Sequence, residues 1–512
     1  MKSVFILSVF ISLQLTAQSV RDSVLIPIND YMVGTSYNHL DQIKRAFHDS
    51  AMLYLYSPAE PLIISPQRYA GFFKKRTPGA FNGRYSSLLN LDIYNDTAIA
   101  EVEIKMPKIN ARFIDLMLLK KMETGWKIVG KTATRYDMVQ EAHLPTKRDV
   151  FSGLKQPWSM AFLDAHHAIV SELGGDLLSI NLKEKSSTKI TGFPRDLFTP
   201  LTLDISKYPV GTYPAGADGR VVRFNAGILE VVLHPEYDTN QKIYVSYVSQ
   251  RDDRYALKVI RATLTGHHLS DVEVLLNPGP YVPGLFHFGG GMTFGPDGKL
   301  YITVGERLFA EGLKEGLPIA QDVTDARGKI YRINADGSIP VDNPDFGHGA
   351  IPGLYAIGIR AAQGITVHTD DHSIWFSEHG TVQGDEINLL TAGANYGWPD
   401  KTTGDYRTPD YKAPTREGIE YTEPIHFWSK TVAPTGLTYY TGYGQPSWYG
   451  DLIVPGLSKG SLWRMGIHEN QVVSAEELFI NDRVRLRKAV MSPDGKLYLL
   501  TDEKNGRIIL VE

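Results

Sequence analysis

The sequence predicts a mainly β protein: a six-bladed β-propeller preceded by a small α+β domain. Three observations carry this. A strand–turn–strand phrase recurs along the chain from residue 151 onward. Turn formers and aromatics are abundant, with 47 Gly and 27 Tyr among 512 residues, and both favour strands and tight turns. Helical periodicity is scarce after Phe151, which argues against the rival parallel α/β fold.

Residues 1–18 read as an export signal. Lys2 supplies the positive start, Val4 to Leu15 is apolar apart from Ser8, Ser12 and Gln14, and Leu15-Thr16-Ala17 offers a small-residue cleavage site. The mature protein is therefore expected in the periplasm or secreted, with the signal peptide removed. No other run approaches the ~18 apolar residues of a membrane span, so no transmembrane segment is expected.

Residues 19–137 read as the α+β domain. Ile26 to Met52 looks helical, with Ile43, Phe47 and Ala51 at helical spacing. Ile99 to Met106 alternates apolar and polar residues as a half-buried strand does. Phe113 to Met122 and Trp126 to Thr134 follow as strands, joined by a turn at Glu123-Thr124-Gly125. Residues 138–150 are polar, contain Pro145 and read as a linker.

Residues 151–512 read as the propeller. The phrase Gly291-Met-Thr-Phe-Gly-Pro-Asp-Gly-Lys-Leu-Tyr-Ile-Thr recurs as Lys488-Ala-Val-Met-Ser-Pro-Asp-Gly-Lys-Leu-Tyr-Leu-Leu. Looser copies bring the starts to Ala161, Val232, Thr293, Thr366, Thr438 and Val490. A spacing of roughly 50 to 75 residues suits one four-stranded blade per copy. Proline presets φ in the shared turn and glycine accepts φ > 0. The last strand pattern, Arg507 to Glu512, leaves its blade one strand short, and Lys147 to Leu154 is the candidate that closes the ring.

Composition excludes several chemistries. The formal net charge of −4, without a basic block, gives no footprint for nucleic acid. The absence of cysteine removes disulfides, thiolate zinc, iron–sulfur clusters, thiol nucleophiles and covalently attached haem. If the chain is a dehydrogenase, no covalently attached haem takes its electrons, and an external acceptor is expected. Gly456-Leu-Ser-Lys-Gly460 matches the serine-hydrolase pattern but lies between two strand-like runs, so it reads as a hairpin loop. No H-E-x-x-H, P-loop or helix-opening G-x-G-x-x-G occurs.

Several polar residues stand beside blade strands. His287 precedes a glycine run that lets a ligand approach the backbone, and Glu306 ends the same blade's second strand pattern. Arg485 and Arg487, two apart on a strand, face one side; from spacing alone they either grip an anionic ligand or form a solvated edge. Ser377-Glu-His-Gly-Thr381 with Gly384-Asp-Glu-Ile-Asn388 combines carboxylates and exposed carbonyls, which suits Ca²⁺ or an Asx-rich turn.

Taken together, Leu233-His-Pro, His287-Phe-Gly-Gly, Ala320-Gln-Asp, Gly328-Lys-Ile, Asp336-Gly-Ser-Ile-Pro, Ser377-Glu-His-Gly, Gly384-Asp-Glu-Ile-Asn, Asn395-Tyr-Gly-Trp-Pro and Ser492-Pro-Asp-Gly resemble the glucose/sorbosone dehydrogenase family. These are the soluble sugar dehydrogenases that use pyrroloquinoline quinone (PQQ). The resemblance runs from about Gly153 to the C-terminus and implies a six-bladed propeller. It implies PQQ and Ca²⁺ as cofactors, an aldose as substrate and oxidation of its anomeric hydroxyl to a lactone. Residue by residue, it implies His287 as base and Glu306 as the acid that orients it. Arg360, Gln363, Arg485, Arg487, Asn225 and Lys459 fall on cofactor contacts. The carbonyls of Gly380 and Thr381 fall on the catalytic calcium, and Glu386 with Tyr396 on a second, structural calcium.

The chain departs from that pattern at three cofactor contacts. Ala361 stands where the family has Asn, Ser458 where it has Lys, with Lys459 displaced by one, and Asn225 where it has Gln. These departures motivate an alternative of another class, a catalytically degenerate propeller that binds carbohydrate or a protein partner. A lactonase-type hydrolase is a third, minor reading. The N-terminal domain resembles the nuclear-transport-factor-like cone fold in its lumazine-binding branch, through Asp30-Tyr31, Gly34 and the late strand Trp126 to Gly130. That fold hosts enzymes, binders and dimerisation modules alike, so it decides no function.

Overall fold

The computed structural model describes residues 23–58, 60–106, 109, 111–137, 145–199, 225–307, 318–368, 371–407, 411–413, 416–442, 445, 448–458, 460–479, 482 and 484–512. The segment read as an export signal, the linker residues 138–144 and Lys459 lie outside them. The chain divides into two compact units, Met1–Leu144 with Met465–Glu476, and Pro145–Arg464 with Glu477–Glu512.

In the first unit, residues 23–37 are helical and a shorter helix, Leu40–Ala46, follows. Asn38 breaks the path by adopting φ 62°, a left-handed conformation that Asn tolerates. A six-stranded sheet runs in the order Leu62–Ile64, Phe47–Leu55, Gly125–Asp137, Ala111–Met122, Thr97–Met106, Tyr85–Tyr94. The helices bury Ile28, Tyr31, Met32 and Ile43 in one core with Ala100, Val102, Met117 and Leu119 of the sheet. The predicted helix through Met52 is corrected: Phe47–Leu55 is a strand. The misleading signal was the four-residue step from Phe47 to Ala51. Four residues is about one helical turn but also two strand periods, and both residues are buried on one strand face.

The second unit holds six four-stranded antiparallel sheets. Their first strands are Pro157–Phe162, Ile228–Leu233, Gly289–Phe294, Ala362–Val367, Thr438–Tyr439 and Leu486–Met491. Each contains or adjoins one of the six repeat starts read from the sequence. First strands of successive blades touch one another, and that of the last blade touches that of the first. The ring closes as the repeat count requires: Lys147–Leu154 pairs with Gly506–Val511 as the last blade's fourth strand. Backbone bonds between Thr146 and Glu512, 2.8 and 2.9 Å, extend the seam. The first four residues of that strand, 147–150, lie in the segment read as linker.

One device recurs where the blades meet. The first strands of the blades that begin at Pro157, Ile228 and Gly289 are bulged, and a hydroxyl from the neighbouring second strand fills each irregularity. Ser171 accepts from Ser159 N, Ser246 from Glu230 N and Thr303 from Gly291 N, each at 3.0 Å. The same hydroxyls donate to the next blade's first strand: Ser171 to Leu229 O, Ser246 to Gly290 O and Thr303 to Ala362 O. One hydroxyl thus satisfies two buried backbone groups and ties adjacent blades. Ser377 makes the corresponding bond to Thr435 O, 2.8 Å.

Candidate active site

The polar residues singled out in the sequence cluster where the chain enters the first strands. His287 directly precedes the strand Gly289–Phe294, Arg360 precedes Ala362–Val367, and Arg485 and Arg487 open Leu486–Met491. The loop conformation is demanding. His287 itself has φ 52°, and Gly289 and Gly290 follow at 74° and 91°. Gly305 packs against this turn so closely that a Cβ would lie 2.1 Å from His287 O.

His287 is nearly buried and its Nδ1 lies 2.8 Å from Glu306 Oε1, which is 1% exposed. Burial first and then Arg360 bring the imidazole pKa down to about 4 against the opposing pull of Glu306. The ring is therefore neutral at neutral pH. Nδ1–H donating to the carboxylate fixes the tautomer that leaves Nε2 with its lone pair. Glu306 N in turn donates to Arg360 O at 2.9 Å, coupling two blades.

Arg307 carried no role in the sequence reading. Its guanidinium donates to the carbonyls of Phe286 (3.0 Å), Tyr255 (2.9 Å) and Gly284, and sits 3.7 Å from the Phe288 ring centroid. It staples the loop that carries His287. Asp502 was also missed. Its Oδ1 accepts from Arg487 Nη2 at 2.9 Å and its Oδ2 from Arg485 Nε at 2.8 Å. These guanidinium groups hold its carboxyl far below the usual range against the cost of burial. The repeat register was a signal for Asp502. It follows Thr501 at the end of a blade's second strand, as Glu172 follows Ser171 and Glu378 follows Ser377.

Arg487 is buried, stacks 4.0 Å from the Trp158 ring centroid and donates to Gln363 Oε1 at 2.8 Å. Arg485 is one third exposed at 33%. The solvated-edge alternative is thus excluded for Arg487. Asn225 is half-buried and its backbone N–H donates to Leu285 O, two residues before His287. The Gly456–Gly460 segment joins the strands Leu452–Pro455 and Leu462–His468, so its serine lies in a strand-to-strand loop, as read.

The two carbonyls assigned to the catalytic calcium are occupied by guanidinium groups. Arg360 Nη1 donates to Gly380 O and also to His379 O at 3.1 Å, and Arg407 Nε donates to Thr381 O at 3.1 Å. A cation at these carbonyls would sit against two positive charges, so in this arrangement they do not fit a calcium ion. The second pair is different. Glu378 and Glu386 are register partners on adjacent strands and line one small cavity with Tyr396 and Trp398. Burial, followed by repulsion from Glu386, raises the Glu378 carboxyl to about 8, and burial raises Glu386 as well. Glu378, buried, and Glu386, half-buried, face each other as a donor pair that suits a hard divalent cation, although Arg360 and Lys401 line the same cavity and oppose one. No group of three or more acidic, His or Cys side chains arranged to hold a metal occurs among the described residues.

A family model described as Glucose / Sorbosone dehydrogenase matches residues 154–510, and one described as "Putative lumazine-binding" matches residues 19–133. The aldose sugar dehydrogenase YliI of Escherichia coli is 29% identical over 367 residues, 70% of this chain and 90% of that protein. Quinoprotein glucose dehydrogenase B of Acinetobacter calcoaceticus is 26% identical over 349 residues, 54% of this chain and 73% of that protein. The solved structure of the soluble aldose sugar dehydrogenase of E. coli in its apo-form aligns with a TM-score of 0.61 at 28% identity, covering 72% of this chain and 99% of that one.

Proposed function

Because the chain belongs to the glucose/sorbosone dehydrogenase family, we propose that it is an exported quinoprotein that oxidises the anomeric hydroxyl of an aldose to a lactone, using PQQ and passing electrons to an external acceptor. The observation that carries this reading is the His287–Glu306 pair, 2.8 Å apart and neutral at His287 under working conditions. His287 Nε2 takes the proton of the sugar hydroxyl, while Glu306 keeps Nδ1 protonated and stabilises the charge that develops on the ring. Bound PQQ supplies the acceptor for the hydride, and with it two electrons, that leaves the anomeric carbon.

The residues present suit such an anion. Arg485 and Arg487 share the single carboxylate of Asp502, so the cluster keeps net positive charge for the carboxylates of the quinone. Arg360, Gln363, Asn225 and Lys459 are the further proposed contacts. For calcium, the Glu378–Glu386 pair with Tyr396 is the proposed structural site. A second ion at Gly380 and Thr381 requires Arg360 and Arg407 to leave those carbonyls.

That guanidinium cover, with Ala361 in place of the family Asn, favours the alternative reading of a degenerate propeller that binds carbohydrate or a protein. Titrating purified protein with PQQ, with and without Ca²⁺, and then assaying a sugar panel with an artificial acceptor separates the two. Quinone binding with turnover is expected; failure of both leaves the binding propeller.

A further inference from the structure

The N-terminal unit contains a cavity that the sugar chemistry does not use. Its walls are apolar, with Phe73, Ile104, Met106 and Phe113 among them, and Tyr56 and Phe72 stand exposed on its lining. Its polar inventory is short and unbalanced. Lys131 Nζ and Asp115 Oδ1 form an ion pair at 2.8 Å with both side chains 2% exposed, and Tyr31 OH donates to Asp115 Oδ2. Asp115 is thereby satisfied by its own neighbours.

Arg84 and Arg76 also line the cavity, so its cations outnumber the one carboxylate, Asp115. The Arg84 guanidinium reaches Tyr69 OH at 3.5 Å and the Met106 sulfur at 3.7 Å, and it also bonds Tyr31, whose hydroxyl is already committed to Asp115. Its buried Nε has no hydrogen-bond partner among the described residues. A half-buried guanidinium with an unfilled donor gains from an anion that approaches it. The guanidinium end of Arg84 is a planar donor set that suits a carboxylate, and Phe73, 5.8 Å from its charge centre, begins a flat apolar wall beside it.

We propose that this cavity binds a small aromatic carboxylic acid, with the carboxylate on Arg84 and the ring between Phe73 and Phe113. The selectivity rests on charge. Lumazine, named in the matching family description, is flat but has no carboxylate and leaves Arg84 unsatisfied.

The test uses the full chain and calorimetric titration with 2-naphthoate, its neutral isostere 2-naphthamide, and lumazine. Naphthoate is expected to bind about tenfold or more tightly than either neutral compound. Arg84→Gln should reduce naphthoate to the level of the amide, with the far-ultraviolet dichroism unchanged. Phe72→Ala, at an exposed position, should weaken naphthoate without risk to the fold. Equal binding of acid and amide by the native chain overturns the proposal, as does tighter binding of lumazine, or no binding of naphthoate at millimolar concentration. The native-chain comparison decides the matter even where Arg84→Gln does not fold.

Discussion

His287 Nδ1 and Glu306 Oε1 lie 2.8 Å apart across two strand ends of one blade, with the imidazole neutral and the carboxylate 1% exposed. Glu306→Gln keeps the shape but removes the charge and allows the amide to present its N–H to Nδ1, reversing the tautomer. A fall in kcat of about 10- to 100-fold is expected. His287→Ala should cost about 100- to 10,000-fold. Steady-state kinetics with PQQ-loaded protein checks both, and turnover that survives His287→Ala removes the base assignment.

The buried histidines should cost stability on acidification. His287, His379 and His426 are each lowered to about 4, chiefly by burial. The unfolded chain has ordinary imidazoles near 6.5, so between pH 6.5 and 4 it binds more protons than the native state. The native state therefore loses stability as pH falls through that window, and these three groups contribute no further change below it. The raised Glu378 carboxyl works the other way over the same window, one group against three, so midpoints of urea unfolding at pH 7, 5.5 and 4.5 should still fall; a flat profile would show that the imidazoles are not lowered.

Calcium should stabilise the protein more at pH 8 than at pH 5. Glu378, raised to about 8, is protonated in the native state over the range where the unfolded carboxyl is ionised, so its contribution weakens as pH rises from about 4.5 to 8. A divalent cation between Glu378 and Glu386 removes that penalty and releases protons on binding. Melting temperature with and without Ca²⁺ at the two pH values tests this. Glu386→Gln should abolish most of the difference.

Thr303→Val should destabilise by about 1–3 kcal/mol although the side chains are nearly isosteric. It leaves Gly291 N–H and Ala362 C=O without the hydroxyl that serves both at 3.0 Å. Thr303→Ser, which keeps the hydroxyl, should recover most of the loss in denaturant unfolding.

The candidate site was legible to different depths. His287, Glu306, Arg360, Gln363 and Arg487 stand in motifs at blade-strand ends, and the structure links them through Glu306 N to Arg360 O and Arg487 to Gln363. Asp502 and Arg307 were not read because their partners lie on other strands, and one carboxylate after a threonine has no local signature of an arginine clamp. Glu378 was quoted in a motif without a role, since its pairing with Glu386 exists only once two strands align.

The sequence by itself determined the six blades, because a turn that needs Pro-Asp-Gly and strands of fixed period write themselves into local residue order. It also determined the closing strand, since an unpaired edge in a ring of four-stranded sheets has to be filled from the other end. It misplaced the border at Phe47, where a four-residue step satisfies helix and strand alike. Only the tertiary structure decided which charges meet. The guanidinium groups of Arg360 and Arg407 on the carbonyls of Gly380 and Thr381, and the excess of cations around Arg84 in a largely apolar cavity, depend on distances between residues far apart in the chain. Electrostatic energy follows those distances and the local burial, and neither is encoded in spacing along the sequence.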